Sequence, residues 1–218
     1  MSTPPAGKGY FISPAEGPGP GVLLLHSFWG LNRATKDMAN RLADEGYTVI
    51  APDLCDGQVF DDHDPSAAME ALVNVNVNIV ASLVQSCVGL VQNAQIDSRA
   101  PLAVVGFGSG ASWALWLSAR SVDEIAAVVT YYGTQSIPMD TSNSSYLCHW
   151  AETDANVPDL EVADLGLRLQ MANRPFTFVH HPDTVDGFAE KGRPGFDEEA
   201  SDAAWRQTIE FLSSTRQQ

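Results

Sequence analysis

Short apolar runs alternate with amphipathic stretches along most of this 218-residue chain. GVLLLH (Gly21–His26) is an unbroken apolar run of strand length, the pattern of a strand buried on both faces. From Asn32 to Glu45 the spacing turns helical, with Met38, Leu42 and neighbouring alanines on one side and Gly46 placed to end the helix. YTVIAPDL (Tyr47–Leu54) predicts the next strand. The stretch from Pro65 to about Gln92 is long and mostly apolar. VNVNVNIV within it alternates like a strand, but the length and the Ala/Met/Glu-rich start predict one helix. PLAVVGFG then predicts a strand, Ser109–Arg120 a helix, and IAAVVTYYG and Tyr146–Trp150 two more strands. Pro158–Met171 predicts a helix, PFTFVHHP a strand and Glu198–Leu212 a closing helix. Strands alternating with helices predict an α/β protein, in which a mostly parallel central sheet carries helices on both faces. Ligands of such sheets sit beyond the carboxyl ends of the strands.

Composition adds a core and a sign of charge. At 44% hydrophobic, the chain can bury one sizeable core, and one domain over 1–218 is expected. The formal net charge is −15, from 27 acidic and 12 basic side chains, and no Lys or Arg occurs between Arg41 and Arg99. Such a surface repels nucleic acid and anionic lipid, so neither is an expected partner. No unbroken apolar run approaches membrane-spanning length, and MSTPPAGKGYFISP has no secretory pattern. Three sparse cysteines, Cys55, Cys87 and Cys148, fit reduced thiols and a cytoplasmic location. FDDHDP (Phe60–Pro65) packs three Asp and a His together, but it immediately precedes a predicted helix, where acids are favoured by the dipole. No metal or other cofactor is expected.

The chemistry centres on VVGFGSGASWAL (Val104–Leu115), an apolar run that ends in glycines and leads into a helix. An α/β-hydrolase presents its nucleophile on such a turn, in the pattern G-x-Nuc-x-G. Here the frame is Gly106-Phe107-Gly108-Ser109-Gly110, and its centre, Gly108, has no side chain. HSFWGLN (His26–Asn32), GYTVIAPDL, VVGFGSGA, the D-x-x-V-P of Asp154–Pro158 and DGFAEKGRPGFDEEASDAAWRQTIEFL together resemble the dienelactone hydrolase family. The resemblance implies an α/β-hydrolase fold and, in the family, a Cys-His-Asp triad that opens a lactone ester. Carried over position by position, it puts Gly108 where the nucleophilic Cys stands and Asp186, in HHPDTVDGF, where the His stands. Asp154 stands at the acid's position. It also implies that Ser27 replaces a Glu that contacts the thiol, and that Glu190 replaces an arginine that holds the substrate carboxylate. Backbone N–H groups of Phe28 and Ser109 are the implied oxyanion donors.

Covalent catalysis needs a side-chain S or O beside a base, and glycine offers neither. A carboxylate at position 186 is a poor proton shuttle unless its pKa is strongly shifted. The first expectation is therefore a small-molecule-binding or regulatory protein that does not hydrolyse, with His26, Ser27, Trp29 and Glu190 lining the pocket. An anion would meet negative charge there, so a neutral or cationic ligand is expected, and a homodimer is compatible with the family. Two alternatives stay open: acid–base chemistry by an Asp154/Asp186 pair sharing a proton, and residual ester hydrolysis through Ser109 or a water. Trp113 and Trp116, three apart, read most simply as core, and His180 and His181 as structural or exposed.

Overall fold

The structure, a computed structural model, describes residues 9–60 and 65–215. In chain order the elements are β1 (Gly9–Ile12), β2 (Gly21–Leu25), α1 (Arg33–Asp44), β3 (Thr48–Pro52), α2 (Pro65–Asn74), α3 (Val77–Ala94) and β4 (Leu102–Phe107). Then follow α4 (Ser109–Ser118), β5 (Ile125–Tyr131), β6 (Ser145–Thr153), α5 (Asp159–Met171), β7 (Phe176–Val185) and α6 (Glu198–Thr215). The seven strands form one sheet in the order β1-β3-β2-β4-β5-β6-β7. All neighbours are parallel except β1, which runs antiparallel to β3 at the edge.

Every residue of β2 and β3 is buried, as their unbroken apolar runs require of strands covered on both faces. One core cluster joins Val80, Val84 and Val91 of α3, Leu115 and Leu117 of α4 and Leu165 and Leu169 of α5 to one face of the sheet. A second joins Met38 and Leu42 of α1 and Ala204 and Leu212 of α6 to the other. Among the described residues, α3 alone is long and apolar enough to cross a membrane by length and composition. Its Val80, Val84, Val88 and Val91 are buried against the sheet.

Two departures from the sequence pattern have clear causes. The predicted single helix from Pro65 is two. Asn76 interrupts it with extended backbone (φ −76°, ψ 96°), and its side chain accepts hydrogen bonds from the N–H groups of Asn78 and Ile79, capping α3. The alternating VNVNVNIV is thus a helix end, a cap and a helix start. The pattern also gave no element before Gly21. β1 has only four residues, its burial alternates exposed and half-buried, and it is held by the edge of β3 rather than by an apolar run of its own.

Candidate functional site

The site grows from the turn between β4 and α4. Gly108 closes this turn with φ +51° and ψ −117°, a region that residues with a Cβ enter only under strain. Its N–H bonds the Tyr131 carbonyl at 2.9 Å, and its own carbonyl accepts from Ala111 at 3.0 Å. Gly110 is required by close approach, since a Cβ there would overlap the carbonyl oxygens of Leu25 and His26 at the end of β2. A Cβ on Gly108 would lie 3.3 Å from the Cβ of Ser27, so the loop after β2 stands directly beside the turn. Ser109 opens α4, and its N–H is among the first-turn donors that have no intrahelical acceptor.

Ser27 does not stand alone. Its hydroxyl donates to Glu190 Oε1 at 2.8 Å, and the Tyr132 hydroxyl donates to Glu190 Oε2 at 3.1 Å. All three side chains are buried. Tyr132, just past β5, holds a left-handed backbone (φ +40°) that is uncommon for a bulky side chain. Burial pushes the Glu190 carboxyl up to about 7. The two hydroxyl donors hold it down against a further push from Asp186. The Tyr132 hydroxyl, raised well above its ordinary range by burial and then by Glu190, remains a proton donor.

Asp154 and Asp186 lie near one another but do different work. Asp154 Oδ1 accepts from the backbone N–H groups of Asn156 (2.8 Å) and Val157 (3.1 Å), pinning the turn into α5. Its Oδ2 is buried without a hydrogen-bond partner among the described residues. Burial raises its pKa, and the two backbone N–H groups lower it. Asp186 Oδ2 accepts from the Asn156 side chain at 2.7 Å. Burial, and then the charge of Asp154, push the Asp186 carboxyl up to about 6. Asn156 therefore ties the two carboxyl groups together, a role that no sequence signal marked.

Most of these groups face a cavity of about 1000 Å³ beyond the carboxyl ends of the strands. Ser27, Phe28, Trp29, Gly108, Ser109, Tyr132, Asp186 and Glu190 all line it, and Asp154 does not. An adjoining cavity of about 690 Å³ reaches under α2 and shares Ser27, Phe28, Ser109 and Trp113 with the first. Trp113 and Trp116, expected in the core, are half-buried and line the larger cavity while their far sides pack on the core. Trp150 is buried in the core instead. Arg193, which the sequence reading did not single out, also lines the cavity. Its guanidinium lies 3.8 Å from the centroid of the Trp29 ring. An Arg three residues past Glu190 in a Gly/Pro-rich loop was the available signal.

His26 is a correction to the expected pocket wall. It is buried beneath the cavity with both ring nitrogens in use: Nδ1 faces the Ser27 carbonyl at 2.6 Å and Nε2 accepts from Leu54 N–H at 2.9 Å. That pair of bonds fixes the Nδ1–H form, and burial lowers the pKa, so the ring stays neutral. His181 is buried and joined to His149 at 3.1 Å, while His180 is exposed, so neither reaches the turn. Cys55 lines the smaller cavity, but burial, then Asp53, push its thiol up to about 11, far from an activated thiolate. Asp61, Asp62, His63 and Asp64 lie outside the described residues. Among those described, no three His, Cys, Asp or Glu side chains are grouped to hold a metal ion.

A parallel sheet with an antiparallel edge, a glycine-framed turn at the end of its central strand and a cavity above that turn define an α/β-hydrolase. The profile of the dienelactone hydrolase family matches residues 8–215. The chain belongs to the dienelactone hydrolase family. It is 26% identical over 213 residues to Protein usf of Aquifex pyrophilus, covering 94% of this chain and 92% of that one. It is also 26% identical over 221 residues to a protein of Aquifex aeolicus assigned by name to the carboxymethylenebutenolidases, covering 95% and 93%. Among solved structures, a dienelactone hydrolase-type protein from Klebsiella pneumoniae superposes with a TM-score of 0.82 at 20% identity, covering 94% of this chain and 92% of that one. The dienelactone hydrolase-like promiscuous phosphotriesterase P91, from metagenomic libraries, superposes with a TM-score of 0.76 at 24% identity, covering 91% and 87%.

Proposed function

We propose that this chain is a small-molecule-binding member of its family that does not run the family's thiol–imidazole hydrolysis. One observation carries the reading: the centre of the turn has no side chain, and the cavity above it is lined by the carboxyl groups of Asp186, Glu190 and Glu161, with no thiol and no imidazole among its described lining residues. Asp154 Oδ2, which a triad histidine would occupy, is buried without a partner among the described residues. Ser109 Oγ has no base bonded to it among the described residues, which removes support from a Ser109 hydrolase. The shared-proton reading of Asp154 and Asp186 loses ground too, because Asp154 spends Oδ1 on the turn and stands outside the cavity wall.

The ligand class follows from the lining. Phe28, Trp29, Trp113 and Trp116 give aromatic walls, while Asp186, Glu190 and Glu161 give negative charge. Arg193 is the opposing cation, and its face is taken by Trp29. Together with the net charge of −15, this favours an uncharged or cationic organic ligand over an anion or nucleic acid. A matched pair tests it: the primary amide of a bicyclic aromatic acid raises the melting temperature in a thermal-shift assay, and the free carboxylate does not. Tighter binding of the carboxylate would overturn the ligand class.

A further inference from the structure

The two replacements at positions 27 and 190 are partners. They lie 163 residues apart in sequence and share a 2.8 Å hydrogen bond from the Ser27 hydroxyl to Glu190 Oε1. The Ser27 Cβ lies 3.3 Å from the place a Cβ on residue 108 would take, so the hydroxyl stands beside the point where a nucleophile on the turn would project. A serine bonded to a base, with the base oriented by a third group, is the arrangement that activates a nucleophile. Here the third group is Tyr132, which donates to the other oxygen of Glu190 at 3.1 Å. We propose that Ser27 and Glu190 form a nucleophile–base pair for acyl transfer from uncharged esters or lactones, assembled on the loops beside the turn at residue 108.

The oxyanion donors fit the exchange. In an elbow enzyme one donor is the N–H of the residue after the nucleophile and the other comes from the facing loop. With Ser27 as nucleophile, Phe28 is the residue after it and Ser109 belongs to the facing turn, so the two loops trade roles. Both residues line the cavity. The step balances without a cofactor. A lone pair of Ser27 Oγ attacks the ester carbonyl carbon while its proton passes to Glu190 Oε1. The C–O bond to the leaving alkoxide then breaks, and Glu190 returns the proton to that oxygen. The ionised Glu190 next draws a proton from a water that attacks the acyl-Ser27, releasing the acid and restoring the hydroxyl. The strained backbone of Tyr132 (φ +40°) is the conformation in which its hydroxyl reaches Glu190, and such strain is retained where the surrounding structure holds it.

The substrate class comes from the walls: an uncharged ester with an aromatic body, sized for about 1000 Å³. The inference goes beyond ligand binding and is read separately from it, because a covalent label reports on Ser27 alone. The wild-type chain is incubated with diisopropyl fluorophosphate, an uncharged probe in which attack by Ser27 Oγ forms an O–P bond and expels fluoride. The expected result is a single adduct by intact-protein mass spectrometry, mapped by peptide analysis to Ser27. Ser27→Ala takes no label, and Glu190→Gln labels at least about 100-fold more slowly, the loss expected when a general base is removed. Mapping on the wild-type chain decides the matter even if a variant fails to fold. No adduct after prolonged exposure, or an adduct on Ser109 or another residue, overturns the pair, while the thermal-shift response to uncharged ligands still stands or falls by itself.

Discussion

Glu190 is a carboxyl group placed where a charge is costly. Its pKa rises from 4.5 to about 7, first because burial disfavours the ionised form. The folded state therefore holds a proton that the unfolded chain releases between those values. The stability from the neutral form is complete below pH 4.5 and is lost as pH climbs through about 7. Asp186, raised from 3.8 to about 6, acts in the same direction. His149 opposes them: burial lowers it from 6.5 to about 3, so its contribution is present above pH 6.5 and lost as pH falls. Glu190→Gln should flatten the alkaline side. Between pH 5 and 8 the variant is expected to lose on the order of 2 kcal/mol less stability than wild type, read from melting temperatures by calorimetry. Parallel curves would show that Glu190 is not titrating in that range. The sequence marked Ser27 and Glu190 one at a time, as losses of a family pattern. Their bond to each other was not legible, because nothing local connects a loop after β2 with one after β7. Asn156 and Arg193 were missed for the same reason: each acquires its role from a partner on another segment, Asp186 for one and Trp29 for the other.

At the scale of elements, the break between α2 and α3 shapes the mouth of the site. Leu72 of α2, Val75 and Val77 line the larger cavity, so the cap that ends one helix and begins the next also sets that wall. Asn76 satisfies two first-turn N–H groups of α3. Asn76→Ala should cost about 1 kcal/mol, or about 2–4 °C in melting temperature for a chain of this size. An unchanged melting temperature would mean that water replaces the cap without loss. The strands were the most legible elements, since β2, β3, β4 and β5 are apolar runs whose burial needs no partner information. The helix break was not. An Asn that alternates with Val reads equally as a strand face or a cap, and only the packing of α3 on the sheet selects the cap. β1 was hidden because four residues with one half-buried face carry too little pattern to stand out.

For the whole molecule, the frame of the family stands on a strongly acidic chain. The sheet, the glycine-framed turn and the cavity above it are intact, and the chain matches the family from residue 8 to residue 215. What faces the turn is a serine, two carboxyl groups and a tyrosine, on a chain of net charge −15. This division explains why fold and family were readable from sequence while activity was not: backbone approach fixes Gly110 whatever chemistry follows, whereas reactivity depends on side-chain pairs drawn from distant loops. The proposal on which the rest depends is that this protein does not run thiol–imidazole hydrolysis. Its most direct test is the rate at which an anionic dienelactone opens in the presence of wild-type protein and of Asp186→Ala. No acceleration over buffer is expected for either protein. Turnover by the wild type that disappears in Asp186→Ala would contradict it.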